Sequence, residues 1–405
     1  MVTDPQLDSA AWRANLTFLV DAIYRIHPHP FYLTPEAHFK QMVNQTTISI
    51  TALSHNQVVM AFARLVALLR DGHSYFAPFT LASSFYPLRC YCFSDGIYAV
   101  AAAEPYRDVI GGRLIQIGET GLTRVAAHLL PGIAHDNEMT QRWLLPFVLT
   151  HAEMLEAGGF IPDRAGAAAF TFEMPGPARQ APVQRRLLFE PVSLADHVMP
   201  PTGATIGLPS GPDLMYLRRS TEAFWFMHLS FSDTLYIQYN RVWETTQTGA
   251  TLAEFADSLR AVVERHTPNR IMIDLRHNNG GDHTTYAPLL DLLTTHPTIK
   301  HSDRFFALIG RKTFGAAVNF AAELETHADV IFVGEPTGGR PHCFGDPEPV
   351  TLPHGGYTAH ISRFYWQNGT PDDRRPWIEP HIPIALSSTD YFSNRDPVLA
   401  AALVM

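Results

Sequence analysis

The second half of the chain alternates short apolar runs with amphipathic segments, and this alternation restricts the fold more than any other feature. Apolar runs predict strands at 234–239, 270–275, 305–309 and 330–333, and helical spacing predicts helices at 252–266, 286–294 and 314–325. Within the predicted strand at 270–275, the consecutive apolar residues 271–273 are typical of a strand buried on both faces. Strands that alternate with helices predict a layered α/β domain over residues 223–405.

The first 74 residues predict a bundle of helices. Apolar residues recur at helical spacing from residue 9 until His27-Pro28-His29-Pro30 interrupts the pattern. A second helix is expected over about 53–69 and ends at the polar, glycine-containing segment 70–72.

Residues 75–222 predict a middle region rich in strands and helices. A turn at 94–96 joins 88–93 to 97–100 as a hairpin, and 111–118 is a turn followed by a strand. Residues 121–160 have helical spacing, whereas 161–222 are rich in Pro, Gly and Ala and predict exposed strands and a linker.

Charge and composition argue against several classes of protein. The net charge is −9 and no run of Lys and Arg exists, so a nucleic-acid surface and an anionic membrane surface are not expected. No apolar stretch is long enough to span a bilayer, and the first residues lack the basic start and apolar centre of a secretory signal. We therefore expect a cytoplasmic protein, and its oligomeric state stays open.

The three cysteines do not form the pattern of a disulfide framework. Cys90 and Cys92 lie two residues apart in an apolar run and are expected to be core residues on a strand, and Cys343 is the third. His277 and His342 are candidate proton carriers or, with His283, candidate metal ligands. No H-x-x-x-H or H-E-x-x-H spacing is present, so neither a metal nor another cofactor is expected.

Two polar motifs have residues suited to catalysis. The sequence L-R-D-G-H-S at 69–74 places His73 just after a helix end, where it is suited to act as a general base; an ordinary loop histidine is the alternative. The sequence I-D-L-R-H-N-N-G-G-D at 273–282 follows a buried strand. Its glycines allow backbone N–H groups to point outward, where they can stabilise an oxyanion. The alternative is that the motif is a plain strand-to-helix turn.

Two further motifs lie at strand ends. I-G-R-K-T-F-G-A-A at 309–317 joins a strand to a helix with small residues, which permit close approach of a ligand or tight packing of the helix. V-G-E-P-T-G-G-R at 333–340 ends a strand in a glycine turn, or forms a surface loop.

In this order, the four motifs resemble those of the tail-specific serine peptidases, the tricorn and C-terminal-processing family. Members show a D-G-H-type motif after a helical bundle, a strand ending I-D-L-R-x-N-x-G-G, a T-A-S-A-A or T-F-S-A-A segment with the nucleophilic serine, and a G-E-x-T-G-G turn. The corresponding segments here are 71–73, 273–281, 313–317 and 334–339. Residues 377–383 resemble the family's last strand, before a helix at 396–399.

The resemblance implies an α/β fold and a set of roles. The implied fold is a ClpP/crotonase-like ββα spiral, preceded by the helical bundle and a small, reduced PDZ-like β-rich region. His73 resembles the general base of the tricorn branch, and the N–H of Gly280 or Gly281 with that of Ala316 resembles the oxyanion hole. The remaining implied positions are Asp372, Asp373 and Glu379 as candidate orienting acids, and Arg340, His342 and Tyr239 as candidate substrate contacts.

Two departures from the family pattern decide the expected chemistry. Gly315 stands at the position of the nucleophilic serine and has no side chain, so it cannot form an acyl-enzyme. Arg340 stands at the position of the lysine base of the C-terminal-processing branch, and a guanidinium does not lose its proton. Ser74 and Cys343 are the nearest alternative nucleophiles by motif, and neither is favoured, since a free cysteine is more often a small buried residue.

Three interpretations remain open. The chain is a hydrolase, or a crotonase-like lyase or cyclase, that acts on a peptide-like or acyl substrate without a covalent nucleophile. Alternatively, it is a non-catalytic protein that binds peptides or apolar ligands, which its 25 Phe, 14 Tyr and 6 Trp residues would suit. The third interpretation is an engineered serine-to-glycine form of an active peptidase.

Overall fold

The computed structural model describes residues 7–78, 83–176, 181–198, 214–246, 248–300 and 304–405. The helices are α1 Ser9–Ile26, α2 Glu36–Ser49, α3 His55–Ala67, α4 Leu122–Leu129, α5 Glu138–Val148, α6 Ala152–Ala157, α7 Leu194–Val198, α8 Leu252–His266, α9 Ala287–Thr295, α10 Pro297–Lys300, α11 Ala316–His327, α12 Ser388–Phe392 and α13 Pro397–Val404.

The strands, in chain order, are β1 Tyr75–Phe76, β2 Ser84–Phe85, β3 Leu88–Phe93, β4 Gly96–Ala102, β5 Arg113–Ile117, β6 Thr120–Gly121, β7 Ala168–Met174, β8 Val183–Phe189, β9 Val192–Ser193, β10 Phe224–Leu229, β11 Thr234–Tyr239, β12 Arg270–Asp274, β13 Phe305–Ile309, β14 Ile331–Gly334, β15 His342–Thr351, β16 Thr358–Gln367 and β17 Ile382–Pro383. This mixed α/β content, with helices at the N-terminal end, confirms the predicted fold class.

Backbone contacts divide the chain into two compact units. Unit 1 contains residues 1–135, 141–211 and 344–365, and unit 2 contains residues 136–140, 212–343 and 366–405. The predicted three-part division at 74/75 and 222/223 stays a prediction, although the first two of its parts contribute to one hydrophobic core in unit 1.

Unit 1 joins the N-terminal helices to an antiparallel sheet. Strands β3, β4, β5, β7 and β8 follow one another in that sheet, and β6 pairs with β5. The predicted hairpin is present, with Phe93 opposite Gly96. Strand β7 is largely buried, so the expectation of exposed strands in 161–222 holds for β8 and is wrong for β7. Much of the predicted linker lies outside the described residues.

Helix α2 was not predicted as a separate element. Only Phe39 and Thr46 are buried along its length, so its sequence carries no clear apolar stripe. Helix α3 begins with a capping box in which Ser54 and Gln57 each accept a backbone N–H of the other residue. This cap fixes the start of the helix that leads to His73.

Unit 2 is built on a sheet with strand order β10-β11-β12-β13-β14-β17, in which the strands from β11 to β17 are parallel. Alternate residues of its strands belong to two different hydrophobic clusters: Ile271 and Ile273 pack on the side of α8, α9 and α11, and Met272 packs on the side of α13. Both faces are therefore covered, as the uninterrupted apolar runs predict.

Helix α8 forms at the predicted residues because Thr251 and Glu254 make a capping box. Only Ile382–Pro383 of the predicted last strand pairs with the sheet, and the other residues of 377–383 are not strand. No helix among the described residues has both the length and the apolar character needed to cross a membrane.

Candidate functional site

In unit 1, His73 follows the end of α3 and is partly exposed, with 20% of its side-chain surface accessible. The left-handed residue in this turn is Arg70, at φ 53°, whereas glycine was expected to make the turn. The backbone N–H of His73 donates to Oδ1 of Asp71 at 2.9 Å, which holds the loop against the carboxylate. The ring atom Nδ1 lies 4.0 Å from the same oxygen.

Asp71 is fully buried and is surrounded by donors. The hydroxyl of Ser362 donates to Oδ2 at 2.6 Å, and Nε2 of His27 lies 3.3 Å from Oδ2. Burial alone raises the pKa of Asp71, but the hydrogen bond with His27, the charge of His73 and the hydroxyl of Ser362 together lower it. Asp71 is therefore an ionised carboxylate beside His73.

The tautomer of His27 follows from its second contact. The backbone N–H of His29 donates to Nδ1 of His27 at 3.2 Å, so this nitrogen is the acceptor and Nε2 carries the hydrogen that faces Asp71. The sequence H-P-H-P was interpreted only as a break in the helix. Its first histidine is in fact part of the Asp71 site.

Ser74 and Cys343, the two alternative nucleophiles, are both buried and hydrogen-bonded. Ser74 is fully buried, and its hydroxyl oxygen accepts the backbone N–H of Ser362 at 2.9 Å. Cys343 belongs to unit 2, is buried, and donates from Sγ to Oδ1 of Asn319 at 3.5 Å. Cys90 and Cys92 are partly buried beside the core of unit 1.

In unit 2, the turns after β12 and β13 lie against each other. The N–H of Phe314 donates to the carbonyl of Asn278 at 3.1 Å, and a Cβ added to Gly280 would lie 2.9 Å from the nitrogen of Ala316. Thr313 contributes to the same packing, because its buried hydroxyl donates to the carbonyl of Leu275 at 3.0 Å. The sequence motifs at 273–282 and 309–317 therefore lie against each other.

The Gly280 amide is not available to a ligand. Its N–H donates to the side-chain oxygen Oδ1 of Asn278 at 3.0 Å. The amides of Gly281 and Ala316 donate to no acceptor in the hydrogen bonds of the described residues. Ala316 is the first residue of α11, where helix N–H groups have no partner within the helix. Of the predicted oxyanion donors, Gly281 and Ala316 are the ones the geometry favours.

Gly315 has a backbone conformation that side chains disfavour. Its φ is 55° and its ψ is −132°, at the sharp turn between the β13 end and α11. Nucleophile elbows of α/β-hydrolases place a serine on a strained strand-to-helix turn. The position predicted for the nucleophile is thus a strained turn occupied by glycine.

The G-E-P-T-G-G turn at 334–339 is hydrogen-bonded to the 310–315 segment. The N–H groups of Gly338 and Gly339 donate to the carbonyl of Thr313 at 3.1 and 3.2 Å. The guanidinium of Arg311 donates from Nε to Glu335 at 2.8 Å. This motif therefore holds the turn that precedes Gly315.

The candidate substrate contacts occupy different surroundings within unit 2. Arg340 donates from Nε to the carbonyl of Asp136 at 3.0 Å, and His342 is buried at the start of β15. Tyr239 is fully buried, its ring lies 5.4 Å from that of Phe320, and burial raises its pKa far above the ordinary value. Tyr239 is thus a core residue, and its predicted substrate contact stays a prediction.

The three candidate orienting acids lie on the 366–405 segment of unit 2. Asp372 is exposed, and the exposed carboxylate of Glu379 accepts the indole N–H of Trp377. Asp373 is paired with Arg375 at 2.7 Å. Their predicted role stays a prediction, whereas Asp71 is the acid that contacts His73 within its own unit.

No protein-family model matches the sequence, and no curated protein sequence matches it. Mature CPAF complexed with lactacystin is similar in structure, at 14% identity over 98% of this chain and 97% of that chain, with a TM-score of 0.66. A mutant of CPAF is also similar, at 14% identity over 95% of both chains, with a TM-score of 0.67. A putative peptidase from Parabacteroides merdae matches at 11% identity over 98% of this chain and 96% of that chain, with a TM-score of 0.48. The chain therefore has the fold of CPAF over nearly its whole length.

Proposed function

We propose that this chain is a hydrolase that acts on a peptide-like or acyl substrate, with His73 as the general base and backbone amides as the oxyanion hole, and without an acyl-enzyme. The contact between Asp71 and His73 is the observation that carries the proposal. A carboxylate facing Nδ1 favours the tautomer in which Nδ1 carries the hydrogen and Nε2 accepts a proton. The peptidase-like fold and the order of the motifs support the same reaction class.

In the proposed reaction, Nε2 of His73 accepts a proton from a water molecule as its oxygen bonds to the substrate carbonyl carbon. The carbonyl oxygen becomes negatively charged and accepts hydrogen bonds from the amides of Gly281 and Ala316. The bond to the leaving group then breaks, and His73 returns the proton to that group. Gly315 takes no covalent part in this sequence, because it has no side chain.

The proposal is tested with p-nitrophenyl acyl esters and a fluorogenic peptide library as probes. Replacing His73 by Ala should lower kcat/KM by about 10²–10⁴. The matched control is His354→Ala, since His354 is an exposed loop histidine of the same unit. Turnover that is equal in both variants would reject His73 as the base.

A non-catalytic binding protein is the second candidate, favoured by the glycine at position 315. Tight binding of a library peptide that survives His73→Ala, with no product formed, would support this candidate over the hydrolase. An engineered form of an active peptidase is distinguished by restoring a serine at Gly315, as set out in the Discussion. A lyase or cyclase would convert its substrate without consuming water.

A further inference from the structure

Three neighbouring parallel strands of unit 2 each lead into a basic residue at the same edge of the sheet. Strands β11, β12 and β13 are adjacent and parallel, so their carboxyl ends meet at one edge. Arg241 follows β11, His277 follows β12, and Lys312 follows β13. Open sheets of this kind bind ligands outside the carboxyl ends of their strands.

Arg241 is held by hydrogen bonds to backbone carbonyls, which do not neutralise the charge of its guanidinium. Nη1 of Arg241 donates to the carbonyls of Asn240 at 2.7 Å and His277 at 3.1 Å. The ring of His277 stacks on Tyr216 with centroids 5.4 Å apart, and its Nε2 atom is buried with no hydrogen-bond partner in the described residues. A buried polar atom with no partner is costly unless a ligand or water satisfies it.

Lys312 lies among other basic groups. Neither Lys312 nor Arg241 has a carboxylate partner in the described part of the chain, whereas the neighbouring Arg311 is paired with Glu335 at 2.8 Å. Burial, followed by the charges of Arg241 and Arg311, lowers the pKa of Lys312. Burial, followed by the charge of Lys312, lowers the pKa of His277 to about 3, so this ring is neutral at pH 7.

We propose that Lys312, Arg241 and His277 bind an oxyanion, a carboxylate or a phosphate group carried by a ligand of unit 2. Two basic side chains and one imidazole follow adjacent strands at this edge, and in the described residues neither basic side chain is paired with a carboxylate, so an anion would supply the missing counter-charge. Charge-assisted hydrogen bonds from a lysine and an arginine to one oxyanion are among the stronger polar contacts in proteins. The site does not depend on hydrolysis, and it can exist whether or not His73 is a base.

The first test uses the chemistry of the lysines themselves. The chain contains only three, Lys40, Lys300 and Lys312, so the other two serve as internal references in the same sample. Trace labelling with acetic anhydride, read by mass spectrometry, measures the unprotonated amine. Inorganic phosphate or acetate, added at constant ionic strength, should slow labelling of Lys312 at least fivefold and leave Lys40 and Lys300 unchanged, because a bound anion stabilises the protonated amine.

The second test measures affinity for the same two probes by calorimetry. Lys312→Met and Arg241→Gln should each weaken binding at least tenfold, and Arg270→Gln is the matched control, since Arg270 lies at the opposite end of β12. Circular dichroism checks that each variant is folded. If Arg241→Gln does not fold, the comparison of Lys312→Met with wild type is sufficient for the test. Binding of phosphate alone, acetate alone or both identifies the group that the site prefers. The proposal would be overturned if neither anion changed the labelling rate of Lys312 and neither gave a heat of binding in calorimetry. Equal affinity of Lys312→Met and wild type for the anions would also overturn it.

Discussion

Oδ1 of Asp71 lies 4.0 Å from Nδ1 of His73 and accepts the backbone N–H of the same histidine at 2.9 Å. The second oxygen of the carboxylate faces His27 and Ser362. One buried carboxylate therefore fixes the position of the His73 loop and faces its ring. This relationship makes Asp71 a positioning residue, because it would act on a substrate only through His73.

The charge of Asp71 should contribute to stability at neutral pH. Its pKa is lower in the folded protein than the value of about 3.9 in an unfolded chain, so its contribution is present above that value and is lost as the pH falls through the folded pKa. We expect Asp71→Asn to lower the free energy of unfolding by about 3–5 kcal/mol at pH 7. The difference from wild type should narrow below about pH 4.

Urea unfolding from pH 7 to pH 3 measures this difference. The matched control is Ser362→Ala, which removes one hydrogen bond to the carboxylate and keeps its charge. A stability difference for Asp71→Asn that is the same at every pH would contradict an electrostatic role for this residue.

A serine introduced at position 315 should cost stability. A residue with a Cβ is strained at φ 55° and ψ −132°, and the expected loss for Gly315→Ser is about 1–3 kcal/mol. Gly315→Ala is the control, since it carries the same backbone strain without the hydroxyl. Both variants should therefore unfold at similar, lower urea concentrations than wild type.

A fluorophosphonate probe then reports whether the introduced hydroxyl is a nucleophile. Covalent labelling of Gly315→Ser, but not of Gly315→Ala, would indicate a peptidase site whose nucleophile alone is missing. An unlabelled, folded Gly315→Ser would count against both the engineered-form interpretation and the serine-peptidase ancestry of this turn.

A side chain at Gly280 should block the Ala316 amide. An added Cβ would lie 2.9 Å from that nitrogen and 3.0 Å from the carbonyl oxygen of Phe314. We expect Gly280→Ala to lower kcat/KM by about 10²–10³, the effect of losing one oxyanion donor. Gly249→Ala is matched for backbone strain, because Gly249 has φ +88° but open space around it. Equal turnover in the two variants would show that the Ala316 amide is not used.

His277 should make unit 2 sensitive to acid. Its pKa is about 3 in the folded protein and about 6.5 unfolded, so its contribution to stability is complete above pH 6.5 and is lost as the pH falls toward 3. His277→Phe keeps the ring beside Tyr216 and cannot be protonated. Between pH 7 and pH 4, wild type should lose about 2 kcal/mol more than the variant, a value discounted for the partial exposure of the ring. Parallel losses in both proteins would refute the prediction.

The sequence predicts the fold where its signals are local. Helix α8 and strand β13 form at the predicted residues, because a capping box marks the former and an uninterrupted apolar run marks the latter. Helix α2 was missed because few of its residues face a core. The last strand is shorter than predicted, since the resemblance of 377–383 to a family segment carries no information about which residues pair.

The site was predicted only in part, for a related reason. The glycine turns after β12 and β13 were found from their motifs, because glycine marks close backbone approach. Ser362 contacts Asp71 from 291 residues away, and no spacing in the sequence signals that contact. Asp71 itself stood in the D-G-H motif. The acids that the resemblance predicts to orient His73, Asp372, Asp373 and Glu379, lie instead near the C-terminal end.

The most direct test of the account is stopped-flow hydrolysis of p-nitrophenyl acetate by wild type and by His73→Ala. The account predicts a linear release of p-nitrophenol with no burst, since no acyl-enzyme forms at Gly315, and a rate that falls by at least about 10² when His73 is replaced. A burst equal to the enzyme concentration, or a wild-type rate in His73→Ala, would contradict it.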